Sequence, residues 1–326
     1  GIAADWLGRR KPFLLFGFAL AGLGAYLMGV TSTGGGLLVG RAITGLAAAA
    51  WVPLVVLFSS LFPPHEAVRA AALLSIVNSL SRVIATGLTG SINHLSGGYS
   101  LAFFLAVGLA GLAILVTLPV REESRPPRKP SLRGIGKLIT RPDVLLPAVL
   151  SAVAQYITWA SPIGFVPILA RDLGATGEQQ SLLVSLNIGI AMAGNFLVTY
   201  VIRRYGNLRM VYTSFAIMIA GLVAAALANS LALVFLAQTL IGFGFGIGYP
   251  LYMGMSIEKV SEQERATAMG LHQAVYASGM FAGPWLSGIL ASVMGVQPMF
   301  AITGAAVLAL ALWLTRLLAK AAPAAG

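Results

Sequence analysis

Arg82 stands near the middle of an otherwise apolar run, residues 68–93. Polar residues recur around it at spacings of three or four, which place them on one face of a helix: Ser75, Asn78, Arg82, Thr86 and Thr89. If the run crosses a bilayer, a cation at its centre is unfavourable in lipid and normally faces a bundle interior or a water-filled cavity. The pattern therefore predicts that Arg82 and Asn78 lie on the wall of a substrate cavity. A hydrogen bond between helices is the alternative.

A second cation, Arg41, lies closer to the end of its apolar run. A structural contact, a place in a proton relay and a contact with a solute all remain open for it. The second half of the chain supplies polar and aromatic candidates for the same cavity: Gln155, Trp159, Asn187, Tyr249, Gln273 and Tyr276. Only some of them can face a cavity, because Tyr and Trp are also common at membrane interfaces and in helix packing.

His272 is the single histidine within a predicted span, and imidazole titrates in a range that suits a proton carrier. Its position near the end of its run favours a packing role over proton transfer. The sequence has three histidines and no cysteine, and its ten acids lie in loops or near the ends of runs. No nucleophile has a base, and no residues have the spacing of metal ligands. We therefore expect no enzyme, no metal site and no cofactor.

The elements that must position these residues are membrane helices. The sequence is 58% hydrophobic and 10% charged with a mean hydropathy of +0.87, a balance that a soluble domain has difficulty solvating. Ten apolar runs, each at or near the ~20 residues that cross a bilayer, predict an all-α polytopic membrane protein. The runs lie near residues 12–30, 37–61, 68–93, 99–120, 143–170, 179–202, 208–228, 230–256, 266–292 and 297–318.

The net charge of +11 could indicate nucleic-acid binding, but the positions of the cations indicate membrane sidedness instead. If residues 1–11 are cytoplasmic and the ten helices alternate, 18 of the 21 Lys and Arg residues lie on the cytoplasmic side. The positive-inside rule predicts this orientation. We expect a multi-pass protein of the plasma (inner) membrane, with both ends of this chain in the cytoplasm, in contact with lipid and not with nucleic acid.

Residues 121–142 are the one long, charged and proline-rich stretch, which predicts a cytoplasmic linker. The sequences on its two sides match at separations of 198, 197, 196 and 196 residues: Gly8 with Gly206, Gly45 with Gly242, residues 65–72 with 261–268, and Gly87 with Gly283. A nearly constant separation indicates an internal repeat. The predicted organisation is therefore an N-terminal bundle over 1–120, the linker over 121–142 and a C-terminal bundle over 143–326.

The first eleven residues, GIAADWLGRRK, place an acid, a glycine and three consecutive cations directly before an apolar run. This pattern resembles the signature loop between helices two and three of the major facilitator superfamily, carried here by Gly1, Asp5, Gly8, Arg9, Arg10 and Lys11. Arg41 and Gly45 in GRAITGLAAAA resemble the family's helix-four motif. The second-half copy of the loop departs from the pattern, because Arg203 stands where Asp5 stands in the first half.

The resemblance implies the family's fold of two pseudo-symmetric six-helix bundles, of which ten helices out of twelve are present. We expect that family helices one and two precede Gly1 and are missing from this chain. The resemblance also implies that the signature loop holds the two halves together in one access state. A purely topological charge cluster is the alternative. The predicted gating group adds two local ion pairs at the starts of family helices five and eleven: Glu66 with Arg69 and Glu262 with Arg265.

The implied function is secondary active transport of a small organic solute by a monomer, through alternating access between the two bundles. Arg82 and Arg41, without a deep carboxylate, favour an organic anion. Proton-coupled efflux of drugs or metabolites is the alternative, although Gly87-Leu88 stands where drug antiporters of the family have Gly-Pro. A non-transporting membrane sensor with the same fold is an alternative of another class. Protons are a candidate coupling ion through an acid of the missing first helix. Uncoupled transport and an embedded arginine that modulates the charge of an anionic substrate are the alternatives.

Overall fold

The computed structural model describes residues 9–62, 67–122, 136 and 138–321, and nearly all of these residues are helical, with no strand among them. The α-helices, numbered in chain order, are α1 Lys11–Val30, α2 Gly34–Ala47, α3 Trp51–Ser60, α4 Ala67–Ser96, α5 Ser100–Thr117, α6 Pro142–Ala160, α7 Val166–Asp172, α8 Gly177–Tyr205, α9 Asn207–Ala226, α10 Leu231–Glu258, α11 Glu262–Met294 and α12 Val296–Ala321.

These helices form ten segments that correspond to the ten predicted spans. Helix α2 continues into α3 through a 3-10 turn, Ala48–Ala50, and α6 continues into α7 through a π-helical turn, Ser161–Phe165. In the described part of the chain, nine segments are long and apolar enough to cross a membrane, and α4 is the predicted span outside this set. The prediction of an all-α polytopic protein is confirmed.

Local sequence explains where several helices begin and end. Proline occupies the first turn of α1 and of α6, where its missing N–H is not needed. Thr176 and Gln179 form a capping box at the start of α8, in which each side chain accepts a hydrogen bond from the other residue's backbone N–H. Gly206, with a φ of +75°, is the whole connection between α8 and α9, because glycine adopts this conformation without steric strain. The connection between α8 and α9 is therefore a single residue.

The sequence predicts one uninterrupted span over 143–170, and the structure breaks it at the π-helical turn Ser161–Phe165. Pro162 lies in this turn and has no backbone N–H with which to continue the α-helical hydrogen bonds. Single π turns inside α-helices are rare and often lie at functional sites. The break separates α6 from α7 within the same membrane-length segment.

Packing divides the chain into two compact units, residues 1–81 with 88–130 and residues 82–87 with 131–326. In the first unit, α1 packs against α2 and α5. Gly24 of α1 and Gly40 of α2 allow a close crossing, since a Cβ atom at Gly24 would lie 2.7 Å from the carbonyl oxygen of Gly40. Helix α5 has no buried residue.

In the second unit, α10 packs against α6, α8 and α9, while α6 also packs against α11, and α9 against α12. The core between these helices is continuous and includes the fully buried Ile157, Leu222, Ile241 and Phe300. Gly279 of α11 directly contacts the backbone of α6, so a larger residue there would displace the helix. This packing positions the polar side chains that α6, α8, α10 and α11 carry. The predicted bundle boundaries, 1–120 and 143–326, stay a prediction.

Candidate functional site

Helix α4 presents the polar face that the sequence predicts. Arg82 is the sixteenth of its thirty residues, and its side chain is exposed, while Asn78 and Thr86 are partly exposed. The Thr86 hydroxyl donates a hydrogen bond of 2.8 Å to the backbone carbonyl of Arg82, not to its side chain. No described residue forms a hydrogen bond or ion pair with that guanidinium. The structure thus has an exposed cation halfway along a helix of thirty residues, and its contact with a solute stays a prediction.

Arg41 is also exposed, on α2. Its backbone carbonyl accepts a hydrogen bond of 2.9 Å from the Thr44 hydroxyl, a local contact within the helix. One turn later, a Cβ atom built at Gly45 would have nothing within 4 Å among the described residues. Both arginines that the sequence singles out thus lie on exposed faces.

The polar candidates of α6 and α8, of which Gln155 and Asn187 are buried and Trp159 is partly buried, are bonded to other helical residues. Trp159 Nε1 donates to Gln155 Oε1 at 3.2 Å, across one turn of α6. Asn187 Nδ2 of α8 donates to the backbone carbonyl of Gln238 on α10 at 2.9 Å. Gln238 Nε2 in turn donates to the carbonyl of Pro162 at 3.4 Å. Asn187 and Gln238 therefore join α8 and α10 to the π-helical turn, and sequence reasoning missed the role of Gln238.

An aromatic cluster joins α10 and α11 in the second unit, and we define it as Phe245, Tyr249, His272 and Tyr276. The Tyr249 ring stacks on Phe245 with centroids 5.5 Å apart and meets the edge of Tyr276 at 6.2 Å. The Tyr276 ring lies 5.9 Å from the His272 ring. Tyr249, Tyr276 and the neighbouring candidate Gln273 are partly exposed, so they offer a surface with both ring and hydroxyl groups.

His272 is fully buried, and its Nδ1 atom lies 2.8 Å from the Ser256 hydroxyl of α10. Ser256 also reaches the backbone carbonyl of Val144 on α6, at 3.2 Å. His272 Nε2 has no hydrogen-bond partner in the described structure. Three helices therefore meet at one buried imidazole.

The ends of α1 and α5 are joined by charged residues of the first unit. The Glu122 carboxylate accepts hydrogen bonds from the backbone N–H groups of Arg10, at 2.5 Å, and Lys11, at 2.9 Å. Lys11 Nζ donates to the carbonyls of Leu118, at 2.5 Å, and Val120, at 3.0 Å. The Glu122 carboxylate thus compensates the partial positive charge at the start of α1, and the Lys11 ammonium compensates the partial negative charge at the end of α5. We call these contacts the α1–α5 clasp.

The α1–α5 clasp depends on Glu122, which the sequence analysis assigned only to the linker. The single available signal was its position, an acid just after an apolar run. Much of the predicted gating group lies outside the described residues: Gly1, Asp5, Gly8 and Glu66 entirely, and the side chains of Arg69, Glu262 and Arg265. Arg9 is exposed, and the latch through Asp5 stays a prediction.

A comparable contact in the second unit joins the start of α6 to the end of α10. Arg141 forms an ion pair with Asp143 at 2.6 Å and donates to the carbonyl of Lys259 at 2.9 Å. The hydrogen bonds that the Arg141 guanidinium donates to the Asp143 carboxylate raise the pKa of Arg141, which stays charged. Among the described residues, no group of three or more His, Asp or Glu side chains could hold a metal ion.

The family profile of the Major Facilitator Superfamily matches residues 1–158 and, a second time, residues 148–325. This chain belongs to the Major Facilitator Superfamily. Multidrug resistance protein MdtL of Klebsiella pneumoniae is 22% identical to it over 314 residues, which cover 93% of this chain and 77% of MdtL. Multidrug resistance protein 1 of Bacillus subtilis is 22% identical over 315 residues, which cover 93% of this chain and 79% of that protein.

The fold is similar to that of a bacterial homolog of the human lysosomal transporter Spinster, solved in an inward-facing and unoccupied conformation. The TM-score is 0.80 at 17% identity, and the match covers 98% of this chain and 85% of that chain. Family membership and fold confirm the predictions of an integral membrane protein and of a transporter, not an enzyme.

Proposed function

We propose that this chain moves a small organic solute across the membrane by alternating access and that Arg82 binds an anionic group of that solute. The supporting observation is the exposed Arg82 guanidinium halfway along α4, for which no described residue supplies a counterion. An unpaired cation at that depth is unfavourable unless a ligand or cavity water surrounds it. Arginine also matches a carboxylate geometrically, because its planar group can donate two parallel hydrogen bonds.

The remaining candidates take different parts in this proposal. Asn78, one turn before Arg82, supplies a neutral donor or acceptor beside the anion. Arg41 offers a second cation on α2. Tyr249, Gln273 and Tyr276 contribute the partly exposed ring and amide surface of the second unit, whereas Gln155, Trp159 and Asn187 exchange hydrogen bonds with a solute only if their present bonds open. The signature loop and the ion pairs predicted with it serve gating.

Proton-coupled efflux of drugs or metabolites is the second candidate. The names of the multidrug resistance relatives favour it, and so does the aromatic cluster, since tyrosine rings attract organic cations as well as planar apolar groups. The two candidate functions, anion transport and drug or metabolite efflux, differ in the charge of the solute that binds near Arg82. An exposed arginine repels a cationic solute that binds beside it.

The test uses purified protein reconstituted into liposomes, with radiolabelled benzoate as the anionic probe and tetraphenylphosphonium as the cationic probe. We expect benzoate transport, and we expect Arg82→Gln to raise the benzoate KM by about tenfold or more, because a hydrogen bond to a charged group contributes ~1.5–3 kcal/mol. Arg82→Lys, which keeps the charge but loses the paired donors, should have an intermediate KM.

The matched control is Arg171→Gln, which removes an exposed arginine at the end of α7 that is paired with its neighbour Asp172. It should leave the benzoate KM unchanged. Transport of tetraphenylphosphonium that is indifferent to Arg82→Gln would overturn the anion proposal in favour of efflux. Saturable binding of either probe without flux would identify a sensor.

A further inference from the structure

The buried imidazole of His272 belongs to no step of the proposed solute binding. Its Nδ1 atom lies 2.8 Å from Ser256 Oγ, and Ser256 Oγ lies 3.2 Å from the carbonyl oxygen of Val144. The chain of contacts thus runs from α11 through α10 to α6. His272 and Ser256 are both fully buried, so water does not compete for these hydrogen bonds.

The direction of these bonds follows from the chemistry of the three groups. With both contacts formed as hydrogen bonds, the Ser256 hydroxyl donates its single hydrogen to the Val144 carbonyl, because a carbonyl oxygen only accepts. Ser256 Oγ can then only accept from His272, which requires a hydrogen on Nδ1. In the neutral ring, Nε2 therefore carries the lone pair. The contacts select one tautomer of His272 and make Nε2 the basic atom.

Nε2 is also the atom without a hydrogen-bond partner. Buried acceptors are nearly always paired in folded proteins, so an unpaired one calls for an explanation. One turn before His272, Ala268 packs in a buried apolar cluster with Leu138, Val144 and Val260. An unpaired base held in a fixed orientation and shielded from water is a site prepared for a proton.

We propose that His272 binds a proton at Nε2 during the transport cycle and that this proton makes the packing of α11 against α6 and α10 dependent on pH. A proton from water adds to the Nε2 lone pair, the ring becomes a cation, and the Nδ1–H bond to Ser256 stays intact. Release returns the same proton to water.

The surrounding groups explain why protonation should move α11. The titratable group that contacts His272 from its own helix is Tyr276. In the described structure, no carboxylate forms an ion pair with His272. The helices packed here carry further charged or titratable side chains in the described structure: Asp143, at the start of α6 and paired with Arg141, Tyr156 of α6, Tyr249, Tyr252 and Glu258 of α10, Lys259 just after α10, Glu264 of α11, and Arg316 and Lys320 of α12.

A buried imidazolium without a counterion is unfavourable, because the charge loses its hydration and gains no opposite charge in return. The charge becomes stable when α11 separates from α6 enough to admit water. Protonated and neutral His272 therefore favour different arrangements of α11. This inference rests on the proposed transport function only for its connection to solute flux.

The first test reads the imidazole directly and needs no solute. The chain has three histidines, so the variant His65→Asn/His94→Asn leaves His272 as the single imidazole. Nitrogen-15 NMR of this variant in lipid bilayers should show the Nδ1–H tautomer at about pH 8 and conversion toward imidazolium as the pH is lowered to about 6, the same range as in the flux measurements below. An Nε2–H tautomer, or a ring that stays neutral throughout, would overturn the proposal.

The second test compares benzoate and tetraphenylphosphonium flux at about pH 6 and about pH 8 in liposomes that contain a trapped pH dye. His272→Asn keeps a donor near the Nδ1 position and cannot bind a proton. We expect the ratio of rates at the two pH values to approach one in this variant. The matched control His94→Asn, at an exposed position in the last turn of α4, should keep the ratio of the unmodified protein.

Ser256→Ala separates the proton site from a packing contact, because it keeps the imidazole and removes the bond that orients it. It should shift the pH profile of flux without flattening it. A pH ratio unchanged by His272→Asn would refute the inference and leave transport standing. Absence of flux with both probes, together with an imidazolium in the NMR spectrum, would instead count against the proposed function alone.

Discussion

Helices α4 and α8 both carry polar side chains in their middle turns, and they use them differently. On α8, Asn187 is buried and donates to a carbonyl of α10. On α4, Asn78 is partly exposed and the Arg82 guanidinium is exposed without a described partner. The comparison teaches that polar residues of similar type can hold helices together or remain available to a solute. Burial and hydrogen bonding distinguish the two uses.

The largest effect should come from crowding α8 at Gly194. A Cβ atom there would lie 2.7 Å from the carbonyl oxygen of Phe243 on α10, whereas Gly111 of α5 has nothing within 4 Å. Gly194→Leu should lower the free energy of unfolding by about 3 kcal/mol or more, because neither backbone can yield without moving a helix. Gly111→Leu should change it by less than ~0.5 kcal/mol.

Unfolding of both variants in detergent, followed by tryptophan fluorescence on heating, measures the difference. Equal losses of stability for Gly194→Leu and Gly111→Leu would contradict the conclusion that α8 packs tightly against α10 at Gly194. A loss of stability for Gly111→Leu alone would show that α5, and not α8, is tightly packed against neighbouring helices.

An intermediate effect is expected for the two asparagines themselves. Asn187→Leu should lower the free energy of unfolding by ~1–3 kcal/mol, because it removes the buried hydrogen bond to the backbone carbonyl of Gln238 and crowds Gly242, which contacts Asn187 closely. Asn78→Leu should change stability by less than ~0.5 kcal/mol. It should instead weaken benzoate binding, as the partly exposed amide is lost from the α4 face.

Thermal unfolding and equilibrium binding of benzoate, measured on the same preparations, separate the two roles. The comparison of α4 with α8 is wrong if Asn78→Leu unfolds the protein more readily than Asn187→Leu does. Weaker benzoate binding by Asn187→Leu at unchanged stability would assign α8 to the solute as well.

The smallest effect concerns the helix ends. The start of α8 is capped by its own Thr176 and Gln179, whereas the start of α1 depends on Glu122, more than a hundred residues away. Glu122→Gln should lower the free energy of unfolding by ~0.3–1 kcal/mol, since it removes the charge that compensates the α1 N-terminus. The control Glu178→Gln, in the first turn of the self-capped α8, should have an effect near the lower end of that range.

Denaturation at low and high salt checks this difference. Added salt should shrink the effect of Glu122→Gln only partly, because the carboxylate is half-buried against α1. A larger effect for Glu178→Gln than for Glu122→Gln would contradict the reading of the α1–α5 clasp.

Much of the fold was predictable from local patterns. The apolar runs placed all ten helical segments, and the matching anchors such as Gly45 and Gly242 indicated the repeat before any fold was known. The π-helical break at Pro162 was not predicted, because a proline within a membrane helix can also be accommodated without changing the hydrogen-bond pattern. Which outcome occurs depends on neighbours, here the Gln238 side chain that donates to the Pro162 carbonyl.

The candidate site was predictable only as a set of residue types. Spacing placed Arg82 and Asn78 on one face of α4, and both are accessible there. The same reasoning gave no sign that Asn187 is bonded to α10, or that Glu122 closes the start of α1. Those partners lie 51 and 111 residues away, and hydropathy and periodicity carry no information about such pairs.

The sequence by itself determined that this is a helical membrane protein with a repeated, two-part organisation. Lipid requires each spanning segment to satisfy its own backbone groups, and that requirement acts within about twenty residues. Only the tertiary structure decided which polar side chains are bound to neighbouring helices and which remain accessible, as for Asn187 and Arg82. A hydrogen bond between helices needs a partner from a distant part of the chain, and only packing brings that partner within reach.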